Sequence, residues 1–388
     1  MNNMQQSVVV NIVNHESSFR RHFIKNFHSI WFASVMGTGI ASTFLYRCPF
    51  GAEWLKVCGL IMFGITVCMF LLFSTIFILK NFCFYRNTAF LFDAKQSVFL
   101  GCYPMGLVTI INMITLIAEG SFNEKKWFYF IYILWVIDMI MSLMCSWGIT
   151  FILFTRSHIS DYKEHGFNAT LLLPLVTMTV CAASGSLFYS MIPNEDFKLV
   201  QIIICFLLWA NAICLSLPVI VIYFAKLYVT KIVPTSLIFT GFIPIGIMGQ
   251  GSYGILLMGN NSSNYIIKNY NKYPSNFNNF LETALATANF FKFSALIIAL
   301  FLSSLGFFLT FLASSSIFHG EKPKFFKKEW WAMCFPIGAM AIASSELGIL
   351  FDFVTFKVIG CIYGATLVVL TIVCLIGSFI HEFPWHRK

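Results

Sequence analysis

Pro104-Met105-Gly106, inside the apolar run 98–118, sets how the chain is read, because the same element returns at near-constant spacing. It stands earlier as Met36-Gly37, and later as Pro174, Pro244-Ile245-Gly246 and Pro336-Ile337-Gly338. Met36 to Met105 is a step of 69, and the prolines step by 70 from 104 to 174, by 70 to 244 and by 92 to 336. An Asn-rich polar insertion at 258–285 accounts for the longer last step. A period of this length, holding two apolar segments each time, marks a duplicated membrane hairpin.

Working outward, ten segments are long and apolar enough to cross a hydrocarbon core of about 30 Å. They are 27–46, 55–79, 98–118, 127–154, 169–191, 198–224, 235–257, 286–314, 330–348 and 355–380. Two per repeat and five repeats give the same total. With 58% hydrophobic residues, 18% aromatics and only 11% charged, the composition excludes a soluble globule of this size. The expected fold is all-α and integral to a membrane, with ten transmembrane helices as five hairpins. The domain is predicted over 27–380, with tails at 1–26 and 381–388. The polar first 26 residues show no cleavable leader, so the first helix is expected to stay in the mature protein.

Sixteen of the 25 Lys and Arg fall in the tails and in the loops at 80–97, 155–168, 225–234 and 315–329. The positive-inside rule then puts both termini in the cytoplasm and the insertion at 258–285 outside. Two overlapping sequons, at Asn260 and Asn261, lie in that insertion. The net charge of +9 is read as topology and lipid contact, not nucleic-acid binding. Most of the twelve cysteines lie within spans and form no Cys-x-x-Cys pair, so neither a disulfide framework nor a zinc site is expected. The eight histidines map to the cytoplasmic side or to helix ends, and no metal, haem or other cofactor is implied. No nucleophile–base pair occurs at matching depth, so the chain does not read as an enzyme.

The odd-numbered spans carry the Pro/Gly elements: Gly37, Pro104 and Gly106, Pro174, Pro244 and Gly246, Pro336 and Gly338. A proline within a span kinks the helix and leaves a carbonyl that lipid cannot satisfy. The five odd helices are therefore predicted inside, around a central pore, with the even helices outside. Gly37, Gly39, Gly101, Gly106, Ser184, Gly185, Gly249, Gly251, Ala339 and Ala341 would let the inner helices approach closely. Thr38, Ser42, Thr109, Asn112, Thr177, Ser184, Gln250, Ser252, Ser344 and Ser345 are the candidate pore-lining groups. Uncharged hydroxyls and amides can hold a small anion without trapping it, although each hydroxyl could instead bond a carbonyl of its own helix.

Four charged residues within or near the membrane stand out: Asp138, Lys292, Glu346 and Lys357. Asp138 needs a partner or a proton, and reads as an interhelix or intersubunit tie or a transport residue. Lys292 could reach inward to it or snorkel to the headgroups. Glu346, near an outer helix end with Lys357, is expected at the interface.

The strings Tyr103-Pro104-Met105-Gly106-Leu107-Val108-Thr109-Ile110-Ile111-Asn112, Met248-Gly249-Gln250-Gly251-Ser252-Tyr253-Gly254, Phe335-Pro336-Ile337-Gly338 and Met36-Gly37-Thr38-Gly39-Ile40 resemble the tellurite-resistance/dicarboxylate transporter family, and within it the fungal sulfite efflux pumps. The shorter Phe-Pro-x-Gly element is shared with plant slow anion channels and fungal malate permeases. The resemblance implies five hairpins around a pore and a homo-oligomer, commonly a trimer. It implies a pore gate at Phe335, with Tyr103 as its counterpart; an apolar ring at the midplane gates by dewetting. It implies sulfite or bisulfite efflux across the plasma membrane, conferring sulfite tolerance, with a malate/dicarboxylate permease or a gated chloride or nitrate channel as alternatives. The chain departs from a simple anion pore in having no Lys or Arg at mid-depth on an odd helix. Helix-break dipoles and a basic vestibule of Arg20, Arg21, Lys25 and His28 are left to gather the anion.

Overall fold

Each odd-numbered helix begins with 3-10 helix and then widens into α-helix. In the computed structural model, which describes residues 27–83, 94–121, 124–156, 168–230, 235–272, 280–319 and 326–382, these 3-10 turns are Ser29–Trp31, Val98–Gly101, Ala169–Leu172, Thr235–Phe242 and Lys328–Trp330. The helices that follow are α1 (Phe32–Tyr46), α3 (Cys102–Ala118), α5 (Leu173–Leu187), α7 (Ile243–Asn269) and α9 (Trp331–Leu350). Their partners are α2 (Glu53–Cys83), α4 (Glu124–Leu143, continued through a π-turn at Met144–Ile149 to Arg156), α6 (Glu195–Thr230), α8 (Phe280–His319) and α10 (Val354–Gly377). Among the described residues, nine of these are long and apolar enough to cross a membrane; α1, with its 3-10 turn, is the shorter tenth.

The prolines sit differently from a mid-span kink. Pro174 and Pro244 occupy the first turn of α5 and α7, and Pro104 lies just inside α3, so the missing N–H falls where a helix has no internal partner for it. Only Pro336 is interior to its helix, and Gly37 lies in unbroken α-helix. The repeat therefore marks a 3-10 to α junction, not a set of orphaned carbonyls. Proline is also not confined to the inner class, since α6 carries Pro218.

The inner helices close on themselves: α1 packs on α3, α3 on α5, α5 on α7, α7 on α9, and α9 back on α1. Each even helix lies over a joint of that ring. α2 packs on α1 and α3, α4 on α3 and α5, α6 on α5 and α7, α8 on α7 and α9, and α10 on α9 and α1. Burial divides the two classes cleanly. Of the most apolar stretch of each span, 72% to 94% is buried in α3, α5, α7 and α9, but only 17% to 39% in the even helices. Every residue of α1 from Phe32 to Leu45 is buried. The even helices show Phe154, Val221, Phe301 and Val369 outward, as a lipid-facing surface requires.

Glycine sets the close approaches within the ring. A Cβ at Gly338 would meet Ile40 across the α9–α1 joint, and one at Gly249 would meet the Ala339 backbone across the α7–α9 joint. Gly185 and Gly251 face outward instead, toward Gln201 and Cys205 of α6 and toward Ile213 of α6 and Leu302 of α8. The expected loop at 258–285 is helical over much of its length: α7 runs on to Asn269, and α8 begins at Phe280. Asn261 is buried there and donates to the Ser186 carbonyl at 2.8 Å, which ties the end of α7 to α5.

Candidate functional site: the axis of the helix ring

All five inner helices contribute to one cavity on the axis. Its wall includes Ala33 and Met36 from α1, Cys102 and Met105 from α3, and Leu173 and Val176 from α5. Gly246 comes from α7, and Trp331, Phe335 and Pro336 from α9. These are residues of the first turns, so the cavity lies at the level of the 3-10 to α junctions. The lining is apolar because Pro, Gly and small or flexible side chains turn inward where the helices converge.

Phe335, only 4% exposed, forms part of this wall. Tyr103 does not. Its ring lies against Phe32 at 4.8 Å, Phe70 at 5.4 Å and Phe77 at 6.1 Å between centroids, in an aromatic cluster between α1, α2 and α3. The two aromatics that precede prolines of the repeat thus face different surroundings, and Tyr103 packs in the α1–α2–α3 joint.

The candidate polar residues divide into three groups. Thr38, Thr109 and Thr177 each donate to a carbonyl of their own helix, Ser34 at 2.9 Å, Gly106 at 2.8 Å and Pro174 at 2.7 Å respectively. Ser252 turns to α8, accepting or donating with Ser303 at 2.9 Å and donating to the Ala299 carbonyl at 3.1 Å, so it is an interhelix tie. The hydroxyls of Ser42, Ser184, Ser344 and Ser345 and the amide oxygen of Asn112 are buried with no hydrogen-bond partner among the described residues. Gln250 is buried on α7. Orphaned polar groups also occur on outer helices, at Ser74 and Ser216 for example. What distinguishes the inner set is its origin on four helices, each five to ten residues beyond that helix's own Pro/Gly element, roughly 8–15 Å along the axis. Ser345 lies against Gly360 of α10, and buried polar groups normally find a partner.

The charged residues are resolved as follows. Asp138 is fully buried on α4; Ser142 donates to it at 3.4 Å, and the Cys181 thiol of α5 lies against it. Thr177 also reaches the Ser142 carbonyl at 3.3 Å, and Trp135 donates to the Cys181 carbonyl at 2.9 Å. These contacts join α4 to α5 beside the ring. Lys292 stacks over the Phe351 ring at 5.4 Å and is not Asp138's partner. Glu346 corrects the interfacial expectation: it is 3% exposed and ion-paired with Arg47 at 3.2 Å. Arg47, one residue beyond α1, was not among the sequence candidates, because its partner lies 299 residues away. Of the basic vestibule, His28 accepts from the Ile30 N–H and caps the first 3-10 turn, whereas Arg20, Arg21 and Lys25 lie outside the described residues.

A closed ring of five helices around an axial cavity, jacketed by five apolar helices, defines a multi-pass membrane conduit. The voltage-dependent anion channel family model matches residues 26–379, and the chain belongs to that family. It is similar to the sulfite efflux pump SSU1 of Candida albicans, with 32% identity over 96% of this chain and 78% of the relative. It is similar also to the sulfite efflux pump SSU1 of Saccharomyces cerevisiae, with 31% identity over 92% of this chain and 88% of the relative. An uncharacterized transporter of Methanocaldococcus jannaschii, MJ0762, shares 24% identity over 84% of this chain. Family and relatives are channels and transporters, which makes this chain a membrane protein of anion transport.

Proposed function

We propose that the chain exports sulfite or bisulfite from the cytoplasm across the plasma membrane, through the axis of the helix ring, and so confers sulfite tolerance. The observation that carries the reading is the pairing of an anion-conduit architecture with identities of 31% and 32% to two proteins named sulfite efflux pumps. The axial cavity suits a small monoanion better than a dicarboxylate, since its apolar lining offers no mid-depth cation to neutralise a second charge.

Phe335 is the gate in this reading. Its ring closes the path by excluding water from an apolar constriction. Beyond it the anion meets Ser42, Asn112, Ser184 and Ser344, whose unused hydrogen-bonding capacity replaces part of its hydration. Passive flux suffices for export, because an inside-negative potential favours each departing charge by about 2.3 kcal/mol per 100 mV. The termini are cytoplasmic, on the distribution of Lys and Arg. The assembly is a homo-oligomer, a trimer by family resemblance, with a path in each subunit.

Efflux of labelled sulfite, malate and chloride from vesicles holding the purified protein tests this. Sulfite flux above malate flux is expected. Malate flux without sulfite flux would replace the reading with a dicarboxylate permease, and chloride currents without sulfite flux would replace it with a gated channel.

A further inference from the structure

At the end of the ring opposite the Phe335 cavity lies a second cavity, built around charge. Its wall includes Thr43 and Arg47 from the α1 end, Tyr253 from α7, and Ser345 and Glu346 from α9. These helices are neighbours in the closed ring, and Glu119 at the end of α3 lies near Arg47, which puts the cavity at the far end of the ring. We propose that it is an anion exit site, in which Arg47, with Tyr253 and Ser345, binds the departing oxyanion and Glu346 keeps that binding weak. The inference rests on the proposed anion path and assigns to it a charged binding step.

Three observations carry it. The Arg47–Glu346 pair is lopsided: the carboxylate is buried at 3% exposure while the Arg47 side chain is 37% exposed, so the guanidinium keeps a face open to the cavity mouth. A single nitrogen, Nη2, serves both carboxylate oxygens, at 3.3 and 3.2 Å. A guanidinium carries five donors in a fork that matches carboxylates and oxyanions, and close bidentate pairing runs nearer 2.7–2.9 Å. With Nη2 on Glu346 and a further hydrogen bond to Tyr253, the fork still keeps donors for an oxyanion. Finally, the Ser345 hydroxyl, in the cavity wall beside Gly360 of α10, is buried with no hydrogen-bond partner among the described residues.

The chemistry of release follows from the charges. An unopposed arginine would hold an oxyanion at the mouth, and a conduit needs binding strong enough to draw the ion on but weak enough to let it leave. Glu346 offsets the guanidinium, and Glu119 at the end of α3 adds further negative charge near it. The anion and Glu346 then compete for one cation, and each departing anion is replaced by the resident carboxylate.

The test uses the full chain in vesicles, with sulfite and chloride flux measured against anion concentration, together with thermal stabilisation of the detergent-purified protein by sulfite. Arg47→Gln alone strands a buried carboxylate, so the main variant is Arg47→Gln/Glu346→Gln, which removes both charges. It is expected to raise the half-saturating anion concentration at least severalfold and to abolish the sulfite-dependent rise in Tm. Glu346→Gln alone is expected to lower the half-saturating concentration and the maximal flux together. A folded double variant that saturates and is stabilised like wild type would show that the pair is only a structural tie and overturn the proposal. Absence of any anion flux from wild type would sink the transport reading instead, while the sulfite-dependent Tm would still report on Arg47.

Discussion

Gly249 lies against the main chain at Ala339: a Cβ there would come within 2.6 Å of the Ala339 carbonyl carbon and 2.8 Å of the Met340 nitrogen. Neither atom can move without shifting α9, so the α7–α9 joint of the ring depends on a hydrogen at this position. Gly249→Ala is expected to destabilise the protein by about 1–3 kcal/mol, as overpacking does. Gly64 on α2 has nothing within 4 Å of its would-be Cβ. Gly64→Ala should be neutral, or stabilising by up to about 1 kcal/mol from helix propensity. Thermal unfolding of the two variants in the same detergent compares them directly.

Phe335 and Tyr103 each precede a proline, yet only Phe335 borders the axial cavity. Phe335→Ala is expected to raise sulfite flux at normal expression. Tyr103→Ala should leave flux per folded molecule unchanged and cost about 2–3 kcal/mol by emptying the cluster with Phe32, Phe70 and Phe77. Equal flux from wild type and Phe335→Ala would remove the gate assignment.

The serines separate by hydrogen bonding. Ser252→Ala breaks a tie to α8 and should cost about 1 kcal/mol with little change in transport. Ser184→Ala and Ser344→Ala each delete a buried hydroxyl that has no partner among the described residues, so stability should hold or rise while anion flux falls. A flux loss confined to Ser252→Ala would reverse this assignment.

Asp138 is enclosed by Ser142 and Cys181 between α4 and α5, and among the described residues no cation is ion-paired with it. Asp138→Asn keeps an oxygen for Ser142 and is expected to preserve both folding and flux. Asp138→Leu, by contrast, should reduce yield by crowding the joint. Abolished flux in well-folded Asp138→Asn would make the carboxyl a participant in transport.

Asn261 is committed to the Ser186 carbonyl, so its sequon should stay unglycosylated. Endoglycosidase treatment of the wild type should produce no mobility shift assignable to Asn261. Asn261→Ala should weaken the α5–α7 contact by about 1 kcal/mol, read as a lower Tm.

Much of this architecture is legible in the chain because its signals are local. A span's length and apolarity are properties of consecutive residues, and the Pro/Gly elements at Pro104, Pro174, Pro244 and Pro336 recur at intervals visible without any contact. The inside–outside division of odd and even helices follows from that register, although Pro104, Pro174 and Pro244 act at helix starts and only Pro336 of the four is interior to its helix. The helical course of 258–269 was hidden, because Asn-rich sequence has poor intrinsic helix propensity and is held here by burial against α5.

What the sequence by itself determined, then, was the number of helices, their pairing into repeats and which class faces the axis. Helix length and periodicity are settled by neighbours along the chain. Tertiary structure alone decided which polar atoms remain free, since each residue turns about 100° from the last and a small rotation of α7 carries Ser252 from the axis to Ser303. It alone brought Arg47 to Glu346, because a contact between the end of the first helix and the ninth exists only once the ring has closed.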